Sequence, residues 1–276
     1  MNKFGSLYVD GDSLFHKMNP SIKLILFALW LIAVFSYLDI NISCGLLGLG
    51  FILLYFAKIP YQISRNLFMA VTSFNLINAL FIFLITPDYG VTLTGNHTLV
   101  AQIANYPIYY ATIMYILVIS LKYLSLLPLT IIFVFTTHPS RFAASLNRIG
   151  VPYKLAYIIS IIFRYFPDIH HEFKIISNAQ AARGFSYGKD EKSLKRRINN
   201  LFNITIPLII QAMQRIDKVT NAMELRGFGT SKKRTWYNST TIKVTDIIFL
   251  IMAIIGFAAL IYYKTVINSG FRIDFI

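Results

Sequence analysis

Strongly apolar stretches of 15 to 22 residues without one Asp, Glu, Lys or Arg fall at 24–38, 40–57, 66–87 and 247–263. A bilayer core about 30 Å thick is crossed by about 20 apolar residues in a helix. Each run therefore reads as a membrane span. Composition leaves little room for a soluble alternative. Only 14% of residues are charged and 56% are hydrophobic, whereas a soluble domain carries roughly 25% charged residues. A fifth apolar region, from Pro107 to Phe135, is too long for a simple span and contains Lys122 and Pro128. It reads as a span followed by a proline-kinked extension, with Lys122 snorkelling near the inner interface.

Charge is segregated along the chain. Of the 26 Lys and Arg, 17 lie between His138 and Thr240, with six of the 12 acidic residues, so that stretch is +11 by itself. Positive segments stay in the cytoplasm. Counting 107–135 as two spans would put this stretch outside, so the expectation is five spans. The loop 58–65, KIPYQISR, holds two positive charges and is expected inside; the 39–41 turn and the 88–106 loop hold none and are expected outside. The N-terminus is then inside and the C-terminus outside, with Lys264 and Arg272 external. The organisation expected is a membrane domain at 1–136, a cytoplasmic domain at 137–240, and a C-terminal span and tail at 241–276. Apolar residues run through the basic stretch, which favours a membrane surface or an acidic protein partner over nucleic acid. The single cysteine, Cys44, excludes disulfides and thiolate metal sites. Residues 1–23 lack a signal-peptide core, so the first apolar run is expected to remain as a span.

The basic stretch reads as helices. HPSRFAASLNRIGVP has Pro139 near a helix start and Gly150 and Pro152 beyond its end. A long helix is expected from Tyr153 to Arg183, interrupted at Pro167, and a second from Leu194 to Arg226, interrupted at Pro207. The second is amphipathic, with Met213, Ile216 and Met223 on one side and Arg215, Asp217, Lys218, Asn221 and Glu224 on others. The first is apolar on several sides but broken by Arg164, Asp168 and Glu172, so both suit the inner membrane face.

Each long helix ends in nearly the same phrase. NAQAARGF at 178–185 and NAMELRGF at 221–228 lie 43 positions apart and agree at five of eight positions. In both, glycine suits the left-handed conformation that ends a helix, with arginine in the last turn. One such cap is ordinary. Two matched caps suggest two plugs for two similar sockets, and the planar fork of arginine suits carboxylates in a partly dry groove.

AQAARG and AMELRGFG resemble the paired Ala-Arg-Gly signatures of the transmembrane T component of energy-coupling factor (ECF) transporters, the EcfT/CbiQ-like family. LFHKMNPSIKL, THPSRFAASLNRIGVP and FRYFPDIHHEF are similar to other segments of that family, so the resemblance covers most of the chain. The second copy departs from it, with Leu225 where the signature has alanine. The resemblance implies an all-α polytopic membrane protein with about five transmembrane helices and a cytoplasmic domain of long coupling helices. It further implies that Ala182, Arg183, Gly184, Leu225, Arg226 and Gly227 dock into two ABC-type ATPases. Ile158, Ile162, Phe166, Met213 and Ile216 would carry a small membrane protein, the S component, that binds a vitamin or metal ion. The implied location is the bacterial cell membrane, with the N-terminus and coupling domain cytoplasmic.

The chain is expected to be non-catalytic and to hold no cofactor or metal, with Mg-ATP bound by its partners. It has no G-x-x-x-x-G-K-[ST] loop, and GFGTSKK has the wrong spacing. His170, His171 and Glu172 are adjacent, so they do not share a helix face and read as surface polar residues. Two rival readings are a self-sufficient secondary transporter, which needs broken spans around a midplane polar site, and a membrane-embedded enzyme, which needs an interfacial carboxylate or histidine constellation. Neither pattern is apparent.

Overall fold

The computed structural model describes residues 8–95, 97–103, 106–185, 193–230, 235–237 and 240–267. The loop 186–192 and the tail with Arg272 lie outside the described residues. Those residues form two compact units, divided at Pro139 and again at Thr240. In the first unit lie α1 (Leu14–Lys17), α2 (Pro20–Ser36), α3 (Ile40–Ala57), α4 (Tyr61–Ile85), α5 (Tyr89–Thr94) and α6 (Tyr110–Thr136). Strands β1 (Leu99–Ile103) and β2 (Tyr106–Tyr109) form an antiparallel hairpin between α5 and α6. The second unit holds α7 (Pro139–Arg148), α8 (Tyr153–Ala182) and α9 (Leu194–Leu225). The chain then rejoins the first unit as α10 (Val244–Tyr262), which ends in a π-helical turn.

Helices α3, α4, α6 and α10 are long and apolar enough to cross a membrane, and α2 is a shorter apolar helix of 17 residues. The protein is an all-α polytopic membrane protein. Helix α2 starts four residues before the uncharged run because Asn19 caps it, its side chain accepting from Ser21 N–H, and Pro20 fits the first helical position. Helix α4 starts inside the loop expected at 58–65, so Arg65 is helical and lies over the Tyr61 ring.

Helix α6 organises this unit. It packs most extensively on α3 and also on α2 and α4, around a core of Phe15, Met18, Trp30, Val34, Ala57, Leu129 and Ile132. Pro128 lies inside α6, where its ring meets Gly50 of α3. A Cβ on that glycine would come within 2.8 Å of the proline ring. The Trp30 indole donates to the Ser125 carbonyl at 2.9 Å, and the Ser125 hydroxyl donates to the Ser43 carbonyl at 3.0 Å.

Two expectations need correcting here. The region beyond Pro107 begins as strand and continues as one helix through Pro128. Lys122 is not near the end of α6 that leads into the basic stretch. Its ammonium donates to the Phe35 carbonyl at 3.2 Å, in the last turn of α2. The first turn of α2 is the part that meets the end of α6, through Lys23 and Thr136. Lys122 thus serves the opposite end of α2, as a cation on free helix carbonyls.

Candidate functional site

In the second unit, α7 is a short amphipathic helix and α8 and α9 are 30 and 32 residues long. Both long helices continue through their prolines, Pro167 and Pro207, where interruptions were expected. They run antiparallel. Tyr157 in α8 meets Phe228 beyond α9, Glu172 pairs with Arg215, and the Gln180 amide donates to the Asn203 carbonyl at 3.3 Å. Ile176 and Ser177 of α8 and Asn200 and Ile204 of α9 are buried. A 30-residue helix is about 45 Å long, so the two repeated phrases sit at opposite ends of the pair.

Both phrases fold the same way. Arg183 and Arg226 are the residues at which the helices end, with φ/ψ of −88°/4° and −88°/12°. Gly184 and Gly227 follow with φ of 86° and 66°, the left-handed region that side chains disfavour. The Gly184 N–H donates to Ala181 O and the Phe185 N–H to Gln180 O, each at 2.9 Å. The Gly227 N–H donates to Glu224 O at 2.8 Å and the Phe228 N–H to Met223 O at 2.9 Å. Each end is thus a Schellman closure that satisfies two orphan carbonyls and turns the chain sharply. Ala182, Arg183 and Gly184 are exposed, as are Leu225 and Arg226, and Gly227 is partly covered. Leu225, in the alanine position, is 90% exposed.

The five apolar residues expected as a platform are all more than half exposed. Ile158, Ile162 and Phe166 recur every four residues and so form one ridge of α8. On α9, Met213 and Ile216 continue a stripe from Phe202, Ile206 and Ile209, which are also exposed. Such a surface needs a partner or lipid to cover it.

His170 and His171 are exposed, but Glu172 is not a free surface acid. It forms an ion pair with Arg215 of α9, and the Arg215 guanidinium lies 5.4 Å from the Tyr165 ring centre. This pair was not legible in the sequence, because partners on separate helices share no periodicity. Also missed was the cluster around the second tip. Phe228 packs on Tyr153 and Tyr157, at ring-centre distances of 5.7 and 4.8 Å. Trp236 lies 6.3 Å from Tyr157 and donates its indole N–H to the Asn147 side chain at 3.0 Å. The signal was present as aromatics near both ends of the region.

Fold and site together define a multi-pass helical membrane subunit with a paired, double-tipped helical arm. The chain matches the CbiQ family, described as cobalt transport protein, over residues 11–237. It is 27% identical over 268 residues to the energy-coupling factor transporter transmembrane protein EcfT of Bacillus subtilis, covering 93% of this chain and 96% of that one. The EcfT of Brevibacillus brevis is 28% identical over 266 residues, covering 94% and 97%. An ABC transporter ATP-binding protein of Bifidobacterium longum is 25% identical over 261 residues, covering 90% of this chain but 32% of its own length. This chain belongs to the CbiQ family, and along nearly its whole length it is similar to EcfT, the transmembrane protein of energy-coupling factor transporters.

Proposed function

We propose that this chain is the scaffold through which two ABC-type ATPases drive a small substrate-binding membrane protein, the S component, for uptake of a vitamin or metal ion. The observation that carries this reading is the pair of tips with one backbone geometry at opposite ends of one antiparallel helix pair. Two like plugs about 45 Å apart suit two like sockets, one on each ATPase. Ala182, Arg183 and Gly184 form one plug, and Leu225, Arg226 and Gly227 the other. The Bifidobacterium relative supports the partner class, since a similar segment occurs within a chain named as ATP-binding.

On this reading the chain is non-catalytic and holds no cofactor, and Mg-ATP binds to the partners. The exposed ridges with Ile158, Ile162, Phe166, Met213 and Ile216 carry the S component. Residues 1–136 and 241–276 form the membrane part, and 137–240 the cytoplasmic coupling part. The excess of Lys and Arg in 138–240 supports that orientation in the bacterial membrane.

Purification of the tagged chain from its own cells tests the reading. Two nucleotide-binding subunits and a small membrane protein are expected with it, and a chain that purifies and transports alone would end the proposal. Orientation is tested in a Cys44→Ser background with an impermeant thiol reagent on intact cells. Cysteine at Leu99, in β1, is expected to react, and cysteine at the fully exposed Tyr237 to stay protected until the membrane is opened.

A further inference from the structure

The chain leaves the membrane unit after His138 and rejoins it at Thr240. Both crossings are held by the same short stretch, residues 8–23. At the exit, the Val9 N–H donates to the Phe135 carbonyl at 3.0 Å, and the Tyr8 ring meets the His138 ring edge-on at 5.3 Å. The Lys23 ammonium donates to both the carbonyl and the hydroxyl of Thr136, at 2.9 and 3.0 Å. At the return, the Asn19 side-chain amide donates to the Thr240 carbonyl at 2.8 Å. The Asn19 backbone N–H reaches Asp246 Oδ2 at 3.4 Å, and the same oxygen accepts from the Lys243 N–H at 3.0 Å.

Asn19, Lys23 and Asp246 are all buried, and a buried charge is costly unless its hydrogen bonds are made. Each charge sits at the helix end that suits it: the ammonium on the last carbonyl of α6, the carboxylate at the amide ends of α2 and α10. The stretch is itself stiffened. The His16 Nε2–H donates to the Val9 carbonyl at 2.9 Å, which leaves Nδ1 to accept from the Ser13 hydroxyl at 2.7 Å. Gly11 lies against that ring, where a Cβ would come within 2.8 Å. Burial lowers the His16 pKa below the ordinary 6.5 against an upward pull from the Val9 carbonyl, in keeping with the neutral ring these bonds require.

We propose that residues 8–23 are a clasp that ties the outgoing and returning chain to α2, with Asn19, Lys23 and Asp246 as its positioning residues. Movement of the α8–α9 arm then reaches α2, α6 and α10 together. Without the clasp the two linkers would absorb it. This rests on the reading that ATPases drive the arm.

The test uses the whole complex with its ATPases and follows hydrogen exchange with and without ATP and vanadate. In the parent, nucleotide is expected to change exchange in α8 and α9 and also in α2 and α10. In Lys23→Met the arm and ATP turnover still respond, while the change in α2 and α10 falls about tenfold, the size of an ordinary allosteric coupling. Because Lys23→Met also removes two buried hydrogen bonds, the second variant adds Asn19→Cys and Thr240→Cys in a Cys44→Ser background. Joining these cysteines with a short reversible thiosulfonate bridge restores the response, and reduction removes it. Parent-like responses of α2 and α10 in Lys23→Met would overturn the clasp, as would an arm that responds in the parent without them. Failure of the ATPases to co-purify with the parent removes the functional reading itself, and is a different result.

Discussion

The two tips of the α8–α9 helix pair share a backbone and differ in what their side chains do. Arg183-Gly184-Phe185 and Arg226-Gly227-Phe228 are closed by the same two hydrogen bonds around a left-handed glycine. Phe185 is then 43% exposed, whereas Phe228 is packed on Tyr153 and Tyr157 at the start of α8. The second tip also continues into a further turn, where the Thr230 hydroxyl donates to the Gly227 carbonyl at 2.9 Å. The repeat therefore encodes a shape, and the surroundings decide its stiffness. If the tips dock as proposed, the clamped one arrives at its partner already ordered, whereas the other orders on docking and pays that entropy at the moment of binding.

The largest effect is expected where the tips are alike. Truncating one side of a desolvated charged pair costs about 2–5 kcal/mol, so Arg183→Glu or Arg226→Glu should each strip ATPase from the complex. The double variant should retain none, at equal membrane levels of the chain. If the arginines serve only as helix-end cations, the loss is about 1 kcal/mol or less, and retention is normal. Normal retention by the double variant would sink the plug reading for both tips.

The next expectation separates the tips. Full removal of a buried Phe side chain costs about 3–5 kcal/mol. Phe228 is only partly buried, so Phe228→Ala should loosen the second tip by about 2 kcal/mol. Faster hydrogen exchange at the amides of Gly227 and Phe228 would report it. Phe185→Ala, at an exposed site, should change local stability by at most about 0.5 kcal/mol. Equal effects at the two positions would break the comparison.

A smaller pair of changes tests the shared backbone. Alanine at Gly184 or Gly227 must adopt a positive φ, at a cost of about 1–2 kcal/mol. Among the described residues, nothing lies within 4 Å of a Cβ at Gly184, and at Gly227 only Thr230 Oγ1 comes to 3.5 Å. The two losses, read from amide exchange in the last turn of each helix, should therefore match.

Much of this was legible because lipid and helix ends leave strong marks in a sequence. Uncharged runs located the apolar helices to within a few residues, and a repeated Arg-Gly-Phe located both helix ends. What stayed hidden depends on distant partners. Pro167 and Pro207 read as interruptions, yet a helix of 30 residues keeps its remaining hydrogen bonds, and packing on the opposite helix holds the turns on either side. Lys122 read as a snorkelling residue, because nothing local reveals the Phe35 carbonyl 87 residues earlier. The hairpin at 99–109 has apolar residues but no two-residue turn signal, so it read as loop. The clasp at 8–23 combines a histidine, an asparagine and a lysine that each look like ordinary residues ahead of a span.

The smallest expected effect asks whether the two sockets are the same. Ala182 and Leu225 hold the same place in the two phrases, and both are exposed. Exchanging them, as Ala182→Leu with Leu225→Ala, should move fold stability by no more than about 0.5 kcal/mol, as for other surface changes. Any larger loss of ATPase from the complex would then come from the sockets. Leucine at 90% exposure offers a side chain for a partner to bury, and removing such a side chain from a well-packed interface can cost more than about 1 kcal/mol. Identical sockets should accept the exchanged chain with unchanged ATPase stoichiometry, since each complex still presents one leucine and one alanine. Sockets that differ should lose affinity at both tips, because each then receives the other's residue. The single variants separate these cases. If Leu225→Ala alone weakens retention and the exchange restores it, the tips are interchangeable and only their stiffness differs. If the exchange is worse than either single change, each tip is matched to its own ATPase.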